Sequence, residues 1–379
     1  MMLALVLGAH ALTLADTVRR AAEVNPTALI AALTTQQAEF AAAQSWAHLG
    51  PTPSLSIGRT WRNNLEIDTG TFNVSLGALQ PASWFSALQR SSRATAARYA
   101  AAGTTLDAQY AAAALYVGVW EARRAVAAAR DTESAATTLA TAIQARVSAG
   151  LDGPLLGRSA EAGRLLAVAE RIAAEAELSV ARVQLARALQ MDDVGELEAP
   201  SALALPESSG GSPWLDAAKE LVQSARWGHI RDLAGWFPSG GLTASTPLNA
   251  PGLAVTLSAT WTLDGVVGPF LLERQSALAV RIADVQYSAL QRDYEAELAA
   301  ARVRATAAGQ VLDAHRARQE AADAALAEGR ALLDAGLVST LEVLRLQDQL
   351  SSARTARVGA ELGELLAIRE ARRLAGEGW

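Results

Sequence analysis

Little in this chain has the means to do covalent chemistry. It contains no cysteine, which excludes disulfides, thiolate metal sites, a cysteine nucleophile and lipidation of an N-terminal cysteine. Its four histidines, His10, His48, His229 and His315, are scattered without the spacing of metal ligands. There is no nucleophile elbow, phosphate-binding loop or dinucleotide fingerprint, so neither an enzyme nor a cofactor is expected. A net charge of −6 without a basic cluster argues against nucleic acid as a partner. What the residues offer is physical instead. Trp61, Trp84, Trp236 and Trp261 fall near the ends of alternating segments, and two related turns, Gly150-Leu151 and Gly336-Leu337, interrupt long helical patterns.

The elements that carry these residues come in two copies. Ser148-Ala149-Gly150-Leu151 returns as Asp334-Ala335-Gly336-Leu337, an offset of 186 residues, and Pro26 is answered by Pro213. An offset of that size is a duplicated domain-sized block rather than a solenoid repeat. Residues 12–196 form the first repeat, 197–212 a linker rich in Ser, Pro and Gly, and 213–379 the second repeat. Residues 1–11 have the apolar core and Ala9-His10-Ala11 ending of a signal peptide, without its positive first part.

The first repeat opens with a short helix to Glu23, broken at Asn25-Pro26, and a second helix to about Leu49. Leu55, Ile57, Arg59 and Trp61 then alternate with small residues, as do Phe72, Val74, Leu76 and Ala78. A polar turn through Asn63-Asn64 and Asp68-Thr69-Gly70 joins them into a hairpin. A proline-free helical pattern runs from Pro81 to about Val147, with a seam at Leu106, Tyr110, Ala113, Val117 and Trp120. At 1.5 Å per residue it is about 100 Å long. After a turn at Gly150 to Pro154 a return helix reaches Met191. The second repeat gives a helix from Pro213 to Trp236, a weak strand from Gly241 to Thr246 and a clear one from Leu253 to Leu263. A long helix from Phe270 to Leu333 and a return helix from Thr340 to about Leu374 follow. Only the first copy has the short helix from Asp16 to Glu23.

Four strands per chain cannot close a barrel, since the smallest membrane barrels need about eight. Yet these strands alternate bulky apolar with small polar residues, as where one face meets lipid and the other water. The four tryptophans sit where interfacial aromatics belong. Ordinary sheet packing would also account for them, but no other layer in the sequence would cover such a sheet. An open sheet leaves edges that lipid cannot satisfy, so the chain must oligomerise.

The chain resembles the TolC-like outer membrane efflux proteins, the outer membrane factors of Gram-negative bacteria. The resemblance rests on Leu12-Thr13-Leu14-Ala15-Asp16 with Asn25-Pro26, on the strand start Pro53-Ser54-Leu55-Ser56, and above all on the run from Ala335 to Leu344. That run is similar to the family's tip motif, Gly-x-x-(Ser/Thr)-x-x-(Asp/Glu)-Val-Leu. The resemblance implies a mostly helical fold of long antiparallel hairpins, with four strands per chain. It implies a homotrimer, its twelve-stranded barrel in outer membrane lipid and its helical tunnel in the periplasm. A periplasmic adaptor protein would join it to an inner-membrane pump or ABC transporter. The duct would serve tripartite efflux or type I secretion.

Gly150 and Gly336 most simply end their helices with a left-handed residue. The resemblance makes these turns the periplasmic tips, so Gly150, Leu151, Gly336, Leu337, Ser339 and Thr340 become adaptor-docking candidates. It also places Glu342 and Arg345 at a gate, where a carboxylate ring across three subunits would favour cations. Equally, Glu342 is a helix-start residue stabilised by the dipole, and Leu156 is its counterpart in the first copy. Arg345 stands where many relatives carry a second acidic residue, and Leu333 where some carry tyrosine. The rival reading is an exported, elongated coiled-coil scaffold without a pore.

Overall fold

The computed structural model describes residues 11–62, 65–76, 80–199, 211–237, 239–247, 252–260 and 267–377. The expected signal peptide, apart from Ala11, lies outside them, as does Trp261. In order come α1 (Leu14–Val24), α2 (Pro26–Ala47), β1 (Pro51–Arg62), β2 (Leu65–Leu76), α3 (Pro81–Ser148) and α4 (Pro154–Ala188). Then follow α5 (Pro213–Ala234), β3 (Ser239–Pro247), β4 (Ala254–Thr260), α6 (Val267–Asp334) and α7 (Thr340–Leu374). The helices of the two copies match in length: 22 residues in α2 and α5, 68 in α3 and α6, 35 in α4 and α7.

Local chemistry sets these ends. Thr13 caps α1, accepting the Asp16 N–H while its hydroxyl donates to the Asp16 carboxylate at 2.7 Å. Pro26 forces Asn25 into an extended conformation (ψ 122°), which stops α1. The Asn25 Oδ1 then accepts from both the backbone N–H and the hydroxyl of Thr27, and α2 begins. Proline opens α2, α3, α4 and α5, where a missing N–H costs nothing.

The four strands form one antiparallel sheet in the order β1-β2-β3-β4. The register differs from the expected hairpin in one place. Asp68, Thr69 and Gly70 are paired strand residues opposite Arg59, Gly58 and Ile57, and pairing continues to Arg62 and Leu65; Asn63 and Asn64 lie outside the described residues. Pairing that begins at Arg62 and Leu65 draws the polar triplet into the ladder. Likewise β3 extends from Ser239 to Pro247, longer than its weak alternation suggests, because it is paired on both sides.

The chain divides into two compact units that cut across the repeats. One comprises Met1–Ala28, Thr105–Gly210 and Ala296–Trp379; the other comprises Leu29–Thr104 and Gly211–Glu295. In the first, α1 and the segment after α4 pack on α3 and α4 around Tyr116, Leu185 and Leu189, all fully buried. Leu12 forms a parallel bridge with Leu197, its N–H donating to the Glu196 carbonyl at 2.8 Å. The Tyr116 hydroxyl sits beside this strap, 2.9 Å from the Leu12 carbonyl and 2.6 Å from that of Glu198. Burial beside these groups pushes the phenol up to about 12. In the second unit α3 and α5 approach closely: Ser224 donates to the Gln89 carbonyl, and Arg231 to its side-chain oxygen at 3.0 Å.

Candidate functional site: the hairpin tips and the sheet

The two tips are built alike, within the first unit. Gly150 and Gly336 share φ = +73°. At each, the glycine N–H bonds three residues back (to Val147 and Leu333) and the next N–H bonds five back, from Leu151 to Arg146 and from Leu337 to Leu332, all at 2.9–3.0 Å. These are paired Schellman closures, which need a residue that tolerates the left-handed region. Leu151 and Leu337 are then thrown outward, 69% and 73% exposed. Leu155 and Leu341, one helical turn further and also 186 apart, are 78% and 58% exposed. These two leucines were not singled out by the sequence, because helical periodicity alone does not say which face of a return helix is covered.

Beneath the leucines the hairpins pack on one another. Val343 is fully buried among Ile143, Ala160, Leu326 and Leu350, with Leu156, Leu333 and Val338 against them. Leu156 and Leu333 are therefore packing residues here. Thr340 is also buried, at 3% exposure, so it lies beneath the surface formed by its neighbours. Its hydroxyl donates across the hairpins to Asp152 at 3.1 Å. Asp152 also takes the Arg146 Nε at 2.8 Å, and the guanidinium and hydroxyl together hold its carboxyl below the ordinary range. Asp152 is the polar clasp between the tips, and sequence reasoning missed it because its partners come from both hairpins.

Ser339 caps α7 by accepting the Glu342 N–H at 3.3 Å. The S-x-x-E spacing is that of a capping box. The Glu342 carboxylate and the Arg345 guanidinium are exposed.

The register of the sheet sorts its residues into rows. Pro53, Val74, Ala244 and Val255 share one row, and Pro51, Leu76, Leu242 and Leu257 another on the same face. Thr52, Ser75, Thr243 and Thr256 form a row of hydroxyls on the opposite face, where Thr52 and Ser75 lie 2.7 Å apart. Leu55, Val255 and Leu257 are 59–75% exposed, so the apolar face is uncovered in a single chain. The outer edges of β1 and β4 have no partner among the described strands. Trp61 belongs to β1. Trp84 opens α3, packed edge-to-face on Trp46 at 5.9 Å. Trp236 follows α5 beside the exposed Phe237. Trp46, whose indole N–H donates to Ser91, joins this aromatic group through tertiary contact.

No described helix is long and apolar enough to cross a membrane, which says nothing of a β-barrel. Among the described residues no group of acidic or histidine side chains has metal-binding geometry.

A four-stranded antiparallel sheet joined to two long helical hairpins, with an internal duplication, is the fold of the TolC-like outer membrane channels. In particular, the chain is similar to the outer membrane protein VceC of Vibrio cholerae, with a TM-score of 0.84–0.85 shared by this and the channel-forming CusC. For VceC the identity is 15% and the match covers 96% of each chain; for CusC it is 18%, over 96% of this chain and 92% of that one. The open state of the MtrE outer membrane channel of Neisseria gonorrhoeae matches with a TM-score of 0.82 at 19% identity, over 96% and 89%. No protein-family model matches the sequence, and no curated protein does. At these identities the fold is what is shared.

Proposed function

We propose that the protein is an outer membrane channel, the passive exit duct of a tripartite efflux or type I secretion system in a Gram-negative bacterium. The observation that carries this reading is the sheet: one apolar face left uncovered, one hydroxyl face, and two edges without a partner among the described strands. Lipid satisfies the apolar face, and pairing of β1 with β4 of a neighbouring copy satisfies the edges. Three copies supply twelve strands, within the range of closed membrane barrels. Trp61, Trp84, Trp236 and Trp261 then serve as interfacial aromatics.

The exposed leucines at both tips suit docking of a periplasmic adaptor, with Gly150, Gly336 and Ser339 setting their presentation. That adaptor links the duct to an inner-membrane pump or ABC transporter. Glu342 and Arg345 are the charged groups assigned to the entrance. No catalytic step is involved.

Detergent extraction, unboiled gel electrophoresis and planar-bilayer recording test the reading together. A heat-labile trimer that conducts is expected. Recovery as a soluble monomer or dimer without conductance refutes it and favours the coiled-coil scaffold. For the entrance, Glu342→Gln should lower cation preference; unchanged selectivity leaves Glu342 as a helix-start residue only.

A further inference from the structure

A polar cleft of about 500 Å³ lies within the second unit, where the sheet meets the ends of α2 and α3. The sheet contributes Thr52, Ser75 and Thr243, one continuous row of hydroxyls, with Leu76, Gly241 and Leu242 at its margin. The helical side contributes Ser83, Ser86, His48 and Arg90. No carboxylate lines the cleft. Arg90 is exposed and makes no hydrogen bond or ion pair among the described residues, unlike Arg98, which is held by Glu39 at 2.6 Å. Nor does the sheet bring an opposing charge near it: the described side chains of residues 51–56, 71–76, 239–247 and 252–260 include no acid and no base.

We infer that Arg90 forms an anion-selective collar in the duct, which favours solutes bearing a carboxylate or phosphate. The inference rests on the channel reading above. If lipid covers the apolar rows, the hydroxyl row is the lumen face, and the cleft that it lines opens on the lumen. Three copies then place three guanidiniums in a ring, beside hydroxyls and the His48 imidazole and with no carboxylate lining the cleft. Such a ring draws anions and repels cations. Arginine is suited to the task because its fork matches carboxylate and phosphate oxygens without losing its charge. The hydroxyls supply the further donors that an oxyanion needs once it sheds water.

The test uses the full-length protein in planar bilayers under a KCl gradient. The wild type must conduct first; absence of conductance would overturn the channel reading, and with it the collar. In conducting channels Arg90→Gln should lower the chloride-to-potassium permeability ratio by roughly two-fold or more, the effect of a unit charge at about 10 Å in water. Arg90→Lys should retain the wild-type ratio. Glu342→Gln, if Glu342 acts at the entrance, moves the ratio in the opposite direction and provides a control for sign. Block of the potassium chloride current by millimolar citrate should be weaker in Arg90→Gln than in the wild type. A conducting Arg90→Gln channel with an unchanged ratio and unchanged citrate block would overturn the collar while leaving the channel intact.

Discussion

Alanine at Gly150 or Gly336 isolates a backbone cost at the tips. Both glycines have φ = +73°, and a Cβ added at either would meet nothing within 4 Å. No clash therefore enters, and the cost is that of a left-handed L-residue alone, about 1–2 kcal/mol. Alanine also stiffens the unfolded chain, which returns about 0.4–1 kcal/mol. The net is roughly 0.5–1.5 kcal/mol against the closed tip. A chain of two compact units does not unfold in one simple step, so the assay must be local. The reporters are the N–H groups of Leu151 and Leu337, which bond the carbonyls of Arg146 and Leu332 at 2.9 Å. Their hydrogen exchange, read by mass spectrometry of tip peptides, should quicken roughly two- to twelve-fold at the substituted tip. Asparagine, which tolerates the left-handed region better, should show a smaller change than alanine at the same site. If alanine leaves exchange unaltered, or asparagine is as harmful as alanine, the backbone conformation is not what holds the tips.

Three further outcomes follow from other contacts. Tyr116→Phe keeps the ring but removes the hydroxyl between the Leu12 and Glu198 carbonyls. It should cost about 1–3 kcal/mol, seen as faster exchange in the strap and not in the sheet. Glu121 is half-buried beside Glu361, and burial first, then that carboxylate, raise it to about 7 against the opposing pull of Arg124. A raised carboxyl keeps its proton longer in the folded state, so its share of stability is present below the unfolded value and is lost as pH rises from about 4.5 to 7. Glu121→Gln should therefore be more stable than wild type at pH 8, by about 1 kcal/mol after solvent screening, and similar near pH 4; hydrogen exchange of peptides around residue 121, compared between variant and wild type at each pH, decides it. Thr340→Val removes the hydroxyl that reaches Asp152; protease cleavage at the tips should quicken, and unchanged cleavage would show that the clasp does not hold the hairpins together.

The helices were legible because their ends are chemical. Pro26, Pro81, Pro154 and Pro213 mark starts, and Gly150 and Gly336 mark stops. The seam residues Leu106, Tyr110, Ala113 and Val117 are buried as their spacing implied, but so are Tyr116 and Val119. A single seam under-reads α3, since α1 and the segment after α4 also lie against it. The strands were legible in kind but not in extent: Asp68-Thr69-Gly70 has turn chemistry, and only cross-strand pairing shows that it is not the turn. Of the tip residues, the glycines and Leu151 and Leu337 could be read from the repeat. The burial of Thr340 and the role of Asp152 could not, since both depend on a neighbour 188 positions away. Arg90 carried no motif at all; its interest comes from what surrounds it.

The bridge between Leu12 and Leu197 has a consequence for how the chain reaches its native state. It closes a loop of about 185 residues, and the pairing of β2 with β3 spans a similar distance. Closures of that length have a large entropic barrier and come late. Until β3 arrives, β1 and β2 are an isolated hairpin, which is marginal in water. Synthesis runs from the amino end, so a nascent chain holding only the first copy has no means to complete either unit. The order of events is thus written into the connectivity: the bridge and the core around Tyr116 draw on residues 12–197 alone, whereas the hairpin of β1 and β2 must wait for β3.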